Sequence, residues 1–359
     1  MSLVYVTKTD SYEKQALVDQ AVEAHLDALG LGEELTPDLK VLIKPNLLAA
    51  RSPSQGVTTH PAVLSGVVRY LRNHGVTKIL IGDTPGGMVN ENVLDRLYEA
   101  CGLTSLEAEL NRDLSTVNQN GFTLLKAVTE ADLVINCCKL KTHGLTVMSG
   151  AVKNLFGCIP GLKKPEWHCA RPTVESFSNL LLDLEETIRP AISLMDAIDC
   201  MEGNGPGGGT LRHMGYLLSS RSPCALDAKA AELMGLPQSS IPLLRAAEKR
   251  DDLSEPIELA GDPLLPASPP FVLPDSVRGT EHFFTPTGLF HSFFGKKRAY
   301  PKVDPDKCVG CGRCRESCPQ HIIRVVDHKA QMPKKGCISC FCCQEMCPVQ
   351  AIGVIRKMF

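Results

Sequence analysis

The chain has 359 residues, 43% of them hydrophobic, with 38 Lys and Arg against 40 Asp and Glu. That length exceeds what one core usually fills, so two domains are expected, and the near balance of charge argues against a nucleic-acid partner. Sixteen cysteines would suggest disulfides in a small secreted chain, but half of them fall in runs that need reduced thiolates, which points to a reducing compartment.

Residues 1–8 read as a strand without a basic leader or a long apolar run, so no signal peptide is expected. No stretch approaches the roughly 18 apolar residues of a membrane span. A cytoplasmic protein is the expectation. Ser11 is the expected cap of a helix with Leu17, Val18, Ala21, Val22, Leu26 and Leu29 at helical spacing. Short apolar strands are expected at residues 41–43, 78–81, 133–135 and 191–195. Helices are expected near residues 61–73, 91–100, 150–157, 174–188, 225–234 and 241–249. Wholly apolar strands alternating with helices predict an α/β domain with a largely parallel sheet, buried on both faces.

In such folds ligands sit beyond the carboxyl ends of the strands. Four strand ends carry polar residues: Lys44 and Asn46; Asp83 and Thr84; Lys139, Lys141 and His143; Asp196, Glu202 and Asn204. Lys153 and Asn154 lie one turn into the next helix. A parallel sheet would bring these groups to one edge, where lysines and a helix N-terminus favour an anion. Lys141, His143 and Asp83 are therefore the catalytic candidates. Lys44, Asn46, Lys139, Lys153, Asn154, Glu202 and Asn204 are the substrate-binding candidates.

Gly203-Asn-Gly205-Pro-Gly207-Gly208 formally fits a dinucleotide fingerprint. Pro206 lies inside it and a strand follows, so it reads better as a flexible loop over a substrate. Cys137, Cys138, Cys158, Cys169 and Cys200 read as ordinary buried thiols, with a further metal site or a redox thiol as the alternative. Residues 263–300 form a Pro- and Phe-rich linker, with Phe283, Phe284, Phe290, Phe293 and Phe294 expected to pack against a domain. The linker separates an α/β domain, residues 1–262, from a small C-terminal module, residues 301–359.

That module carries the most specific signal. Cys308-x-x-Cys311-x-x-Cys314-x-x-x-Cys318-Pro319 is repeated as Cys337-x-x-Cys340-x-x-Cys343-x-x-x-Cys347-Pro348. Three cysteines spaced by two offer thiolates to one cluster, and the fourth, before proline, ligates the other. Cys308, Cys311, Cys314 and Cys347 are assigned to one [4Fe–4S] cluster, and Cys337, Cys340, Cys343 and Cys318 to a second. Paired structural zinc sites also use C-x2-C, but two full runs, each with its proline, favour iron–sulfur. Cys342 is left as a non-ligand. A short hairpin is expected between the runs.

The segments around Lys44-Pro45-Asn46, Thr59-His60-Pro61, Gly82-Asp83, Lys139-Leu140-Lys141-Thr142-His143, Lys153-Asn154, Asp196, Glu202 to Pro206 and Asp227 resemble the family called domain of unknown function 362, over residues 40–262. The remainder resembles a two-cluster ferredoxin, so the small domain is expected to be α+β. The first resemblance implies a shared site but no established reaction. The expected function is an iron–sulfur oxidoreductase passing electrons between two [4Fe–4S] clusters and an anionic small-molecule substrate. The alternative is an electron-carrier or redox-sensing binding protein, working with a redox partner protein and without turnover of its own.

Overall fold

A computed structural model describes residues 1–278 and 298–357. The stretch with Phe283, Phe284, Phe290, Phe293 and Phe294 lies outside the described residues. The main sheet contains β1 (Ser2–Lys8), β2 (Lys40–Lys44), β3 (Lys78–Ile81), β4 (Glu109–Leu110), β5 (Leu133–His143), β6 (Val147–Ser149), β7 (Ile192–Glu202), β8 (Thr210–Ser220) and β9 (Ile257–Gly261). Their order is β9-β1-β8-β7-β5-β2-β3-β4, with β6 beside β5. The run β7-β5-β2-β3-β4 is parallel throughout, while β8 is antiparallel to both neighbours.

Both faces of this sheet are covered. Helices Gln15–Ala28, Pro61–Asn73 and Glu91–Ala100 bury Val18, Val22, Leu26, Val67, Leu71 and Leu94 against one face. Helices Val174–Ile188, Pro223–Leu233 and Pro242–Lys249 pack on the other, around Phe177, Leu181, Leu226 and Leu244. This is the α/β architecture with a mostly parallel sheet that the strand pattern predicts.

Three local details differ from expectation. The first helix is capped at Lys14 without a side-chain bond, and Ser11 instead accepts from the Glu13 N–H at 3.4 Å. β5 and β7 each run 11 residues, well past the apolar segments that announce them. Their polar continuations are buried with partners: Asn136 donates to Ser193 Oγ on the neighbouring strand and to Ala151 O on the segment Ala151–Asn154, both at 2.9 Å, and Lys139 donates to Asp196 across the two strands at 2.8 Å. Residues 262–278 are extended but not free. Ala267 and Phe271 donate their N–H groups to Leu233 O and Met234 O, and Ala267, Phe271 and Leu273 are buried in the core, so this proline-rich segment is a strap on the α/β domain.

The C-terminal part is small and α+β. Strands Arg298–Val303 and Ile352–Lys357 pair antiparallel, a hairpin joins Arg324–Val326 to Lys329–Gln331, and two short helices, Arg313–Glu316 and Cys342–Glu345, follow the cysteine loops.

The segment Ala151–Asn154, which presents Lys153 and Asn154, is too short to hold itself together. Buried Asp227 anchors it by accepting from Ala151 N at 2.6 Å and Val152 N at 3.2 Å. Gly150 makes room, since a Cβ there would lie 2.0 Å from Asp227 Oδ1. Asp227→Ala would orphan two buried N–H groups, so a loss of about 2 kcal/mol or more is expected in urea unfolding. An unchanged midpoint would refute the anchor.

Candidate functional site

A cleft opens where β2 and β3 end, and its far wall comes from the C-terminal module. Its lining includes Lys44, Asn46, Asp83, Thr84, Lys153 and Asn154 from the strand-end groups, with Lys164 and His168 beside them, and Ser317, Cys342, Glu345 and Met346 opposite. It encloses about 680 Å³, counting its mouth, within the range of small-molecule sites.

The floor is a buried ion pair. Lys44 Nζ lies 2.9 Å from Asp83 Oδ1, with the two side chains 1% and 4% exposed. Lys44 also donates to Pro45 O at 2.6 Å and Asn154 Oδ1 at 3.3 Å. Asp83 accepts from Leu47 N at 2.7 Å and Thr84 N at 2.9 Å. Asn154 ties the floor to its surroundings, accepting from Asn46 Nδ2 and donating to Asn136 Oδ1, both at 2.8 Å. Asn46 Oδ1 in turn accepts from Lys141 Nζ at 2.7 Å.

The rim is richer in cations than in carboxylates. Lys164 Nζ is held only by neutral oxygens, Thr84 O at 2.6 Å, Thr84 Oγ1 at 3.0 Å and Pro85 O at 3.4 Å. Burial pushes it down to about 7. Lys153 is also lowered by burial, and its ammonium has no hydrogen-bond partner among the described residues. His168, stacked on Phe177 at 4.3 Å, is pushed down to about 4 by burial and is neutral at pH 7. Burial alone would raise Glu345, but His143, Lys153 and His168 hold its carboxyl down at about 2.

Several sequence-predicted residues stand outside this cleft. Lys139 pairs with buried Asp196 at 2.8 Å and donates to Tyr12 OH at 2.9 Å, fastening the N-terminal loop. Lys141 sits beneath the cleft, bound to Asn46 and to Val57 O at 2.5 Å, and burial lowers it to about 7. His143 accepts at Nδ1 from Leu145 N and Thr146 N. Its Nε2 stands 2.9 Å from Glu345 Oε1 without the alignment of a full hydrogen bond, and burial pushes the ring down to about 4. Glu202 binds Arg212 and Val272 N, and Asn204 exchanges two hydrogen bonds with Asp275. Both serve the strap. The glycine-rich loop packs on Thr142, whose hydroxyl donates to Gly203 O at 2.8 Å, and contributes nothing to the cleft lining.

Sequence reasoning missed Lys164, His168, Glu345 and Met346. Lys164 and His168 lie on the helix Lys163–Ala170, whose charge and internal Pro165 hide it. Glu345 stands in a cysteine loop read only for its cysteines.

The cysteine runs enclose two cavities. One is lined by Cys308, Cys311, Cys314 and Cys347, the other by Cys318, Cys337, Cys340 and Cys343. Cys342 lines neither and faces the cleft instead. Backbone N–H groups point at three of the sulfurs: Ala330 N at Cys308, Ser339 N at Cys337 and Ala351 N at Cys347, at 3.2 to 3.4 Å. The thiols surround space instead of converging on a point, and among the described residues no three His, Cys, Asp or Glu side chains are grouped to hold a single metal ion. Four thiols about a cavity, with N–H donors to sulfur, suit an iron–sulfur cubane. Cys137 and Cys158 are raised to about 12 by burial, as inert core thiols are.

An α/β domain with a strand-end cleft, fused to a cysteine-rich α+β module, defines an iron–sulfur protein. Residues 41–232 match the model of the domain of unknown function DUF362, and residues 301–324 match that of the 4Fe-4S binding domain. The chain belongs to the DUF362 family and carries at least one 4Fe-4S binding domain. It is 32% identical over 306 residues to a thylakoid-associated protein of Synechocystis sp., covering 78% of this chain and 94% of that one. The lactate racemase apoprotein of Thermoanaerobacterium thermosaccharolyticum aligns at 13% identity with a TM-score of 0.41, over 65% of this chain and 57% of that one, a likeness too loose to bear on the chemistry. Among the described residues no helix is long and apolar enough to cross a membrane.

Gly157 makes the cleft floor possible. A Cβ there would fall 2.0 Å from Asp83 Oδ1 and 2.5 Å from Lys44 Nζ. Gly157→Ala is expected to split the pair and cost about 1–3 kcal/mol in denaturant unfolding; wild-type stability would show that the floor is not so constrained.

Proposed function

We propose that this protein is an oxidoreductase holding two [4Fe–4S] clusters and a small anionic substrate. The observation that carries the reading is the shared cleft. One wall is made of strand-end lysines, and the other flanks the cysteine loops: Ser317 precedes Cys318, Cys342 precedes Cys343 and Met346 precedes Cys347. Cys308, Cys311, Cys314 and Cys347 would hold one cluster, and Cys318, Cys337, Cys340 and Cys343 the other. When bound, they supply single-electron transfer.

The chain's own residues bind and orient the substrate. Lys153 and Lys164 would hold its anionic group, because in a low-dielectric cleft an ammonium without a carboxylate partner attracts an anion strongly. Lys164, lowered to about 7, is poised to give or take a proton near neutral pH. Asp83 is engaged by Lys44 and two backbone donors, so it holds the floor in shape. His143 touches the module through Glu345 and steadies its seating. The separate small sheets support a C-terminal unit at residues 301–359, and the strap adds the start of the 263–300 connection to the α/β domain of residues 1–262.

Metal content tests the cluster count: about eight irons and eight sulfides per anaerobically purified chain are expected for two cubanes. About four, or zinc instead, would overturn it. The anion site has a pH signature. With its pKa lowered to about 7, Lys164 is charged below that value and neutral above it. Sulfate, whose charge is constant over this range, should bind more weakly as the pH rises through about 7, and Lys164→Ala should bind it more weakly and with a smaller dependence, because Lys141 beneath the cleft still titrates there. Wild-type binding that ignores pH would remove Lys164 from the role.

A further inference from the structure

The two thiol-lined cavities differ in access. Of their eight cysteines, Cys311 alone is exposed, whereas Cys318 and Cys343 are buried and Cys337 and Cys340 half-buried. Around Cys311 the surface is apolar. Val309 is 60% and Val349 39% exposed, and both line the same cavity as Cys311. Solitary exposed valines are ordinary, but two of them beside an exposed ligand-type thiol form a small apolar patch over the cavity.

Cationic residues flank this patch. Lys307, Arg313 and Arg315 are exposed on the loop that carries Cys308, Cys311 and Cys314. The Arg315 guanidinium reaches to 3.8 Å from where a Cβ of Gly312 would stand. Lys329 donates to Cys308 O at 2.8 Å. Asp306 and Glu316 are the exposed carboxylates of the same loop, and Asp304 lies 3.8 Å from Lys307. Residues 301–359 contain ten Lys and Arg against five Asp and Glu, while the rest of the chain contains 28 against 35. The excess positive charge is thus concentrated in the module.

We propose that the face around Cys311, Val309 and Val349 is the docking surface for a small acidic protein that carries single electrons. The proposal rests on the reading of the cavities as cluster sites. A small apolar centre with a charged rim is the form of a weak, fast electron-transfer encounter: steering comes from charge and release from the small area. In the exchange the carrier is oxidised by one electron and this chain is reduced by one, with no bond or proton transferred. The cleft, on the side of Cys318 and Cys343, then remains free for substrate.

Oxidised flavodoxin, a small acidic flavoprotein, is the probe. Its binding to the full-length, anaerobically purified protein is measured by calorimetry at low and high ionic strength. Binding is expected to weaken steeply with salt. Arg313→Glu combined with Arg315→Glu should weaken it about tenfold or more, with iron content and reduction by dithionite unchanged. Arg313→Lys with Arg315→Lys should restore most of the affinity. Lys153→Ala, in the cleft, should leave flavodoxin binding as in the wild type, which separates this face from the substrate site. Full iron content with no binding, or with binding indifferent to salt and to charge reversal, would overturn the docking face alone. A chain without iron would overturn the cluster reading and this proposal with it.

Discussion

The rest of the cleft depends on the buried pair of Lys44 and Asp83. Removing two charges from water is expensive, and mutual attraction offsets the cost only when other donors and acceptors complete the shell. Here they do. Pro45 O and Asn154 Oδ1 complete Lys44, while the N–H groups of Leu47 and Thr84 complete Asp83. Those partners come from the ends of two strands and from the segment after β6. The pair therefore fixes three chain segments to one another, and Gly157 must lack a side chain for that approach to occur. A hydrophobic pair would pack as well but would not orient the hydrogen-bonding groups of Asn46 and Asn154.

Beyond that floor, charge is deliberately unbalanced. Lys44 and Lys139 have carboxylate partners. Lys141 and Lys164 have only neutral oxygens, and burial lowers both. Lysines held in this state are destabilising unless something else benefits from them, and perturbed groups gathered in a cleft are the usual mark of function. Glu345, from the cysteine-rich module, is the carboxylate that faces this excess. The α/β domain thus depends electrostatically on the module for part of its compensation.

How much of this could be read from the sequence varied with the kind of constraint. The cysteine sets were legible because their spacing is regular and repeated, and the two cavities gather the same crossed sets that the spacing assigns. The short apolar strands were legible because burial on both faces leaves a continuous run. The lengths of β5 and β7 were not, since Asn136, Lys139 and Asp196 look like loop residues until their partners across the sheet are known. The strand-end rule named Lys44, Asn46, Asp83, Lys153 and Asn154, which the fold brings to one cleft. The same rule drew in Glu202 and Asn204, whose partners are Arg212 and the strap, because it knows where strands end but not which neighbours have already satisfied a side chain. Lys164 and Glu345 reach the cleft through tertiary placement alone.

Among the described residues the module's polar ties to the α/β domain are few: Arg51 to Pro348 O at 3.0 Å, Gln350 to Gly207 O at 2.9 Å, Gln320 to the Cys169 sulfur at 3.2 Å, the Cys169 thiol to Pro319 O at 3.4 Å, and the approach of His143 to Glu345. An interface of that kind holds less firmly than a continuous core. The cleft lies in this seam, so a ligand touching both walls strengthens the seating by mass action, and by the same linkage a well-seated module improves the site for the ligand. The excess of lysine charge sharpens the effect. An anion in the cleft relieves repulsion among Lys44, Lys153 and Lys164, which Asp83 on the floor and Glu345 from the module offset in part. Binding and module seating are then two readings of one electrostatic balance.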